Sequence, residues 1–333
     1  VPVFSRLGTE FRLLREHLYD WSRYRRASFV LGARVQAHQQ AMLHILSHSL
    51  EHGMSLPVPR PGFGMEKAQS LLRKTESWLE DYGSHPSARS AFRALEAWAS
   101  HHRTAGWPMT DMEDALARLD HKWALRRGEE TGGVEFTGRD EIADAGRLDF
   151  SRFLRNRHSV RQYAPDHVDP GLIREAVADA QTAPSVCNRQ ACRTYAFTNR
   201  EDIAQLLALQ SGNTGFADEV PVLFVITSDM GQMNLLGERY QGWIDGGLFA
   251  MTLALALHAR GLGACFLNWS VPSERDRELR VLVGIPDAEL VITMMACGHL
   301  KPRFAVPVSQ RKPLDSVLIT DPPLRRQPLR ADA

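Results

Sequence analysis

The sequence predicts an all-α N-terminal region followed by a layered α/β or α+β domain, and three observations carry that prediction. Before residue 130 apolar residues recur at helical spacing and no convincing strand is found. A polar segment with paired glycines, RRGEETGGVEFTGRDEIADAG (126–146), then reads as a linker or long loop. After it, helical segments alternate with four β-rich apolar runs. The boundaries implied are a helical domain at 1–130, a linker at 131–147, a second domain at 148–320 and a tail at 321–333.

Taken in order, TEFRLLREHLYDWSRYRR (9–26) sets Phe11, Leu14, Leu18 and Trp21 at i, i+3, i+7 and i+10, a helical stripe. Similar patterns cover 33–52, 65–82, 87–103 and 110–126. LPVPRPGFG (56–64) has three prolines around Arg60 and glycines on either side of Phe63. It therefore forms a rigid connector, or a lid whose Arg60 and Phe63 close over a site elsewhere. His44, His48 and His52 share one helix face, but no Cys or second His/carboxylate motif accompanies them, so polar packing is expected and no metal. In the second half, RTYAFT (193–198), PVLFVIT (221–227), GACFLNW (263–269) and LVITMMACG (290–298) read as strands. Their apolar residues run without alternation, so helices must cover the sheet on both faces.

Composition excludes several classes of function. The chain has 333 residues, 44% hydrophobic and 24% charged, as expected of a soluble globular protein. A net charge of +1 provides no basic footprint for nucleic acid. No unbroken apolar run approaches the roughly 18–20 residues of a membrane span; Leu248–Leu257, the best candidate, is interrupted at His258 and Arg260. Cys187, Cys192, Cys265 and Cys297 form no Cys-x-x-Cys pair, which points to reduced thiols and a cytoplasmic location.

Four ordered segments carry chemistry. RNRHSVRQYAP (155–165) concentrates Arg155, Arg157, His158, Ser159 and Arg161. APSVCNRQACRTYAF (183–197) places Pro184, Ser185, Asn188 and Gln190 in a polar loop before a strand. DGGLFAMTLALALHARGLGACFLNW (245–269) is an apolar helix opened by Asp245, closed by Gly261 and Gly263 and followed by a strand. GHLKPRFAVPVSQRKPLDSV (298–317) is a basic, proline-punctuated exit from the last strand.

In that order and spacing, residues 150–318 resemble the FMN-dependent nitroreductase family, which includes flavin reductases, deiodinases and flavin oxidases. The carrying motifs are Arg157-His158-Ser159-Val160-Arg161-Gln162-Tyr163, Ala183 to Gln190, Gly261-Leu262-Gly263 and Gly298-His299. The resemblance implies a central mixed β-sheet covered by helices, with FMN held noncovalently at the interface of an intertwined homodimer. It assigns Arg157 and Arg311 to the phosphate, with His158 and Ser159 beside it. Guanidinium groups suit that near-dianion through charge-assisted, geometrically matched hydrogen bonds. Arg161 is assigned to the pyrimidine edge, where a fixed cation stabilises the reduced ring. Asn213 falls at the O2/N3 edge, although Asn-Thr-Gly is equally a turn. Asn268 and Trp269 fall at N5 and O4, where Trp269 either narrows the site or fills core.

Departures from the family pattern are as informative. Phe216 stands where several relatives have Lys, making it a substrate-contact candidate, and Ala191-Cys192 replaces Pro-Trp, which predicts a looser turn at Gln190. The family activity implied is NAD(P)H-dependent reduction of a small organic acceptor, by ping-pong through the flavin, with no catalytic acid or base from the protein. The alternatives are an FMN oxidase or dehydrogenase desaturating a metabolite, and a non-catalytic binding protein on the same fold.

Overall fold

A computed structural model describes residues 3–33, 35–57, 59–60 and 62–323. Five long helices come first: α1 (Val3–Ala27), α2 (Gln36–Met54), α3 (Met65–Tyr82), α4 (Pro86–Thr104) and α5 (Thr110–Trp123). The short α6 (Arg139–Ala145) and α7 (Phe150–Asn156) lead into α8 (Pro170–Ala180), β1 (Cys192–Phe197), α9 (Arg200–Ala208) and β2 (Val222–Asp229). They are followed by α10 (Gln241–Ala259), β3 (Leu262–Asn268), α11 (Ser273–Val283) and β4 (Glu289–His299).

Helices α2 to α5 bury one stripe each around Trp78, Trp98, Phe92, Leu50, Leu71 and Leu95. The α4 start is well specified, with Pro86 in its first turn and the His85 ring accepting the Ser87 N–H. Phe63 of the 56–64 connector packs into this bundle, against His101, His102 and the place a Cβ would occupy at Gly53. The polar stretch after α5 is stapled to the bundle: Arg89 donates twice to Glu130, and Gly133 N–H donates to Glu51.

The α1 helix does not belong to that core. Its polar face rests on the second half of the molecule, where Tyr19 Oη donates to Asp276 and Arg23 donates to the carbonyls of Asp287 and Glu289. Its stripe of Phe11, Leu14, Leu18 and Trp21 is exposed. The helix forms as its spacing predicts, but it is the polar face that packs, because partners more than 250 residues away satisfy it.

The sheet has the order β1-β2-β4-β3, and every neighbouring pair is antiparallel. Parallel pairing is confined to an isolated bridge between Ser159 and Ala264, so the expected mixed character amounts to this single contact among the described residues. One sheet face packs Phe224, Ile226 and Met295 against Phe249, Leu253 and Leu257 of α10 and Ile173 of α8. The other packs Val225, Met294 and Leu267 against Leu206 of α9, Leu279 of α11 and Tyr163. Gly246 permits α10 to approach the sheet, since a Cβ there would overlap Ile292. A segment reaching from Leu236 through α10 is long and apolar enough to pass a composition test for a membrane span, but half of it is buried against the protein. Asp245 is among the buried residues.

Candidate functional site

Residues 157–163 run alongside β3. The Ser159–Ala264 bridge and the Val160 N–H bond to the Ala264 carbonyl (3.0 Å) fix their register. Tyr163 locks the far end: its buried hydroxyl donates to the Val160 carbonyl at 2.7 Å, and burial pushes its pKa upward. Arg157 is half-buried, while His158 and Arg161 are exposed. Both guanidiniums lie within electrostatic reach of Cys265 in the middle of β3, pulling down a thiol pKa that burial otherwise raises. Neither arginine enters any of the described ion pairs. Two fixed cations beside a strand edge, with no carboxylate of their own, suit an anionic ligand, and a phosphate matches their donor geometry.

The far end of β3 is organised by Gln210. Its side chain donates to the Asn268 carbonyl (2.9 Å) and accepts from Gly212 N–H (2.5 Å). The Asn213 amide donates to the Leu207 and Gln210 carbonyls at 2.6 and 2.7 Å and is buried. Those bonds close the turn after α9 and engage the Asn213 amide nitrogen within it. Asn268 is exposed, with its carboxamide oxygen accepting from Ser270 N–H. Trp269 is buried and donates to Asp276 at 2.9 Å, which resolves its two readings in favour of core packing.

The 183–190 loop is the most constrained segment of this region. Cys187, Asn188 and Gln190 all have positive φ (49°, 49° and 52°), a conformation that costs non-glycine residues about 1–3 kcal/mol each. The loop compensates with internal bonds: Gln190 N–H donates to Ser185 Oγ, Gln190 Nε2 to Asn188 Oδ1, and Val186 N–H to the buried Asp245 carboxylate. Arg189, missed by sequence reading, is the anchor. It is buried, forms a two-pronged pair with Glu238 and donates to the Gln232 carbonyl. Burial works to raise the Glu238 pKa, but Arg189 and the Asn234 and Leu235 N–H groups hold it below its ordinary value. The turn at Gln190 is therefore tight rather than loose. Helix α2 packs directly on this loop.

The structure does not gather all the expected residues. Arg311 is exposed on the extended C-terminal segment, donating only to the nearby Ser309 carbonyl, and does not join Arg157 within this chain. Phe216 is buried among Val160, Tyr163 and Leu279, so it is a core residue and not a substrate contact. Phe63 is partly buried against the bundle core and Arg60 is exposed, so within this chain the described residues here have the arrangement of a connector between α2 and α3. Among the described residues no group of His, Cys, Asp or Glu is placed to hold a metal ion; His44 instead shares a hydrogen bond with Ser87 Oγ (3.1 Å).

The two principal groups also lie apart. Asp245, in the first turns of α10, touches the 183–190 loop, whereas His258 near its end bonds the Phe153 carbonyl beside the Arg157 segment. Thirteen residues of helix separate them, or about 20 Å at 1.5 Å per residue. Between them α10 exposes Leu248 and Met251.

The second half combines a layered α+β fold with cations at a strand edge and follows an additional helical region. The family model described as "Nitroreductase family" matches residues 154–213 and 207–299, so this portion of the chain is similar to that family. Among known proteins, it is 26% identical over 205 residues to a Thermus thermophilus protein named NADH dehydrogenase, covering 52% of this chain and 96% of the relative. Among solved structures, an FMN-dependent nitroreductase of Clostridium difficile is 19% identical, covering 51% of this chain and 98% of its own, with a TM-score of 0.44. A Desulfovibrio desulfuricans chain solved in complex with FMN is 23% identical, covering 53% and 98%, with a TM-score of 0.45.

Proposed function

We propose that this chain is an FMN-dependent oxidoreductase that passes reducing equivalents from NAD(P)H to a small organic acceptor by a ping-pong reaction, acting as a cytoplasmic homodimer. The observation that carries the reading is the pair of uncompensated guanidiniums, Arg157 and Arg161, held in register along β3. The name of the Thermus thermophilus relative supports a nicotinamide donor.

The residues present fit the cofactor. Arg157 would take the phosphate, with His158 and Ser159 beside it. Arg161, next to the centre of β3, would hold a positive charge at the pyrimidine edge. The exposed carboxamide of Asn268 and the backbone that follows it would face the opposite ring edge. When bound, FMN would supply two-electron redox chemistry between the nicotinamide and the acceptor. The protein positions the partners and tunes the charge around the ring, and its own side chains need not move a proton for hydride transfer.

A second copy explains the separation along α10. The loop carrying Pro184, Ser185, Asn188 and Gln190 is tied to α10 at Asp245 and the segment leading to Arg157 at His258, points about 20 Å apart along the helix, with an exposed apolar face between them. Pairing that face with its symmetry mate about a two-fold axis perpendicular to α10 would set the two helices antiparallel and bring the loop of one protomer toward the arginines of the other. The exposed C-terminal segment with Arg311 would then be free to reach the partner's phosphate site. Anaerobic addition of NADH or NADPH to the FMN-reconstituted protein tests the reading. Bleaching of the flavin absorbance, followed by recovery on adding a quinone, is the expected result. A protein that takes up no FMN, or whose flavin neither nucleotide bleaches, would refute it.

A further inference from the structure

A cavity of about 380 Å³ opens between α1 and the turn joining β3 to α11, and only its β3 end, at Asn268 and Trp269, belongs to the segments already discussed. Its α1 wall carries Tyr19 and Asp20, Asn268 and Trp269 lie at the β3 end, and Trp243 from the first turn of α10 lies opposite. It thus adjoins the segment assigned above to the flavin ring edge.

The polar groups around it are engaged, with one exception. Glu16 accepts from Ser273 N–H and Oγ and pairs with Arg15. Asp276 accepts from Tyr19, Trp269 and Arg280. Arg23 has its guanidinium against the Asp287 and Glu289 carbonyls. The faces of the Tyr19 ring are already approached by Arg277 at 4.5 Å and Arg23 at 5.3 Å. Asp20 enters none of the described hydrogen bonds; loss of hydration, with Asp276 and Glu16 nearby, pushes its carboxyl pKa above the ordinary value against the pull of Arg23 and His17. The Trp243 side chain is 44% exposed and carries no cation among the described contacts. A carboxylate with no hydrogen bond of its own and an exposed indole on one cavity are the two elements that recognise a flat organic cation: charge attraction at one side, ring quadrupole at the other.

We propose that this cavity binds the electron acceptor, and that Asp20 and Trp243 select one bearing a positively charged nitrogen on an aromatic framework. The proposal rests on the oxidoreductase reading for the word acceptor, but not for the binding site itself. It also gives α1 a task that the 56–64 connector does not perform. The helical extension contributes a specificity wall through its first helix.

The test is calorimetric titration of the full-length protein with methyl viologen, a flat bipyridinium dication, and with the anion anthraquinone-2-sulfonate. Wild type should bind the dication, Asp20→Asn should bind it at least about 10-fold more weakly, and Trp243→Ala should weaken it further. Binding of the anion should be unchanged or improved in Asp20→Asn. Circular dichroism establishes that each variant is folded. A dication affinity indifferent to Asp20→Asn overturns the site. If affinity falls as expected but KM for a cationic quinone does not rise in the same variant, the cavity is not the acceptor pocket and that assignment is overturned. Loss of flavin from wild type with dication binding intact would instead refute the oxidoreductase reading and leave the cation site standing.

Discussion

The two ends of α10 solve opposite problems. At its C-terminal end, Arg157 and Arg161 are cations without counter-charges, fixed only through backbone register with β3. At its N-terminal end, the 183–190 loop has almost every polar group engaged with its own chain: three left-handed residues, a Ser185–Gln190 closure, an Asp245 anchor and the buried Arg189–Glu238 pair. The first arrangement leaves binding energy for a ligand. The second uses the protein's own bonds to hold a shape that a ligand then meets ready-made, which reduces the ordering cost of binding. Loss of a cation should therefore affect affinity at the first end, and loss of the buried Arg189 anchor should affect folding at the second.

The largest expected effect follows from removing the N-terminal helices. Sequence alone suggests that a chain starting near Gly146 should fold, keep FMN and lose only selectivity. In the structure α1 satisfies Asp276, Asp287 and Ser273, and α2 covers the 183–190 loop. The truncated protein should instead lose its cooperative thermal transition, as followed by circular dichroism, and bind no flavin. A truncated protein that melts cooperatively and binds flavin normally would remove α2 from the account of the loop.

Next comes Arg189→Ala, which leaves the Glu238 carboxylate buried without its partner. Breaking a buried pair in this way costs about 3–5 kcal/mol, to be read from urea unfolding. At the other end of α10, Arg157→Ala should leave unfolding unchanged and weaken FMN binding by about 1.5–3 kcal/mol, or roughly 10- to 150-fold, measured by quenching of flavin fluorescence. Arg161→Ala should lower the flavin potential more than it weakens binding. Equal balances of potential shift and affinity loss in the two variants would contradict the separate roles.

A smaller effect concerns acid stability. Burial works to raise the Asp276 and Glu238 pKa values, but their arginine partners and other donors hold both below the ordinary 3.8 and 4.5. Their stabilising contribution is complete above those ordinary values and declines as pH falls through the lower folded-state values. Unfolding free energy should thus drop progressively below about pH 4.5, and less steeply in Glu238→Gln, which does not titrate.

Much of the architecture was legible because burial leaves a one-dimensional trace. The four strands, covered on both faces, appear as unbroken apolar runs, and α2 to α5 show helical spacing. What the sequence hid were partnerships across long separations. Arg189 sits between two residues that were singled out, yet nothing local links it to Glu238, 49 positions on. The α1 stripe marks a helix, but it is the polar face that packs, against the remote Asp276, Asp287 and Glu289. Phe63, Phe216 and Trp269 have aromatic rings that serve equally as core or as contact, and pattern alone cannot distinguish the two.

The central claim is that the arginines of one protomer and the 183–190 loop of another build one FMN site. Subunit exchange between two individually defective proteins tests it most directly. One carries Arg157→Ala and Arg161→Ala; the other carries Ser185→Val and Asn188→Val in the loop. Each alone should bind little FMN. After mild unfolding and co-refolding, random pairing makes about half the dimers mixed, each with one intact composite site, so roughly a quarter of all sites should regain FMN. No recovery, in a mixture where mass spectrometry shows mixed dimers, would contradict the account and place the site within a single chain.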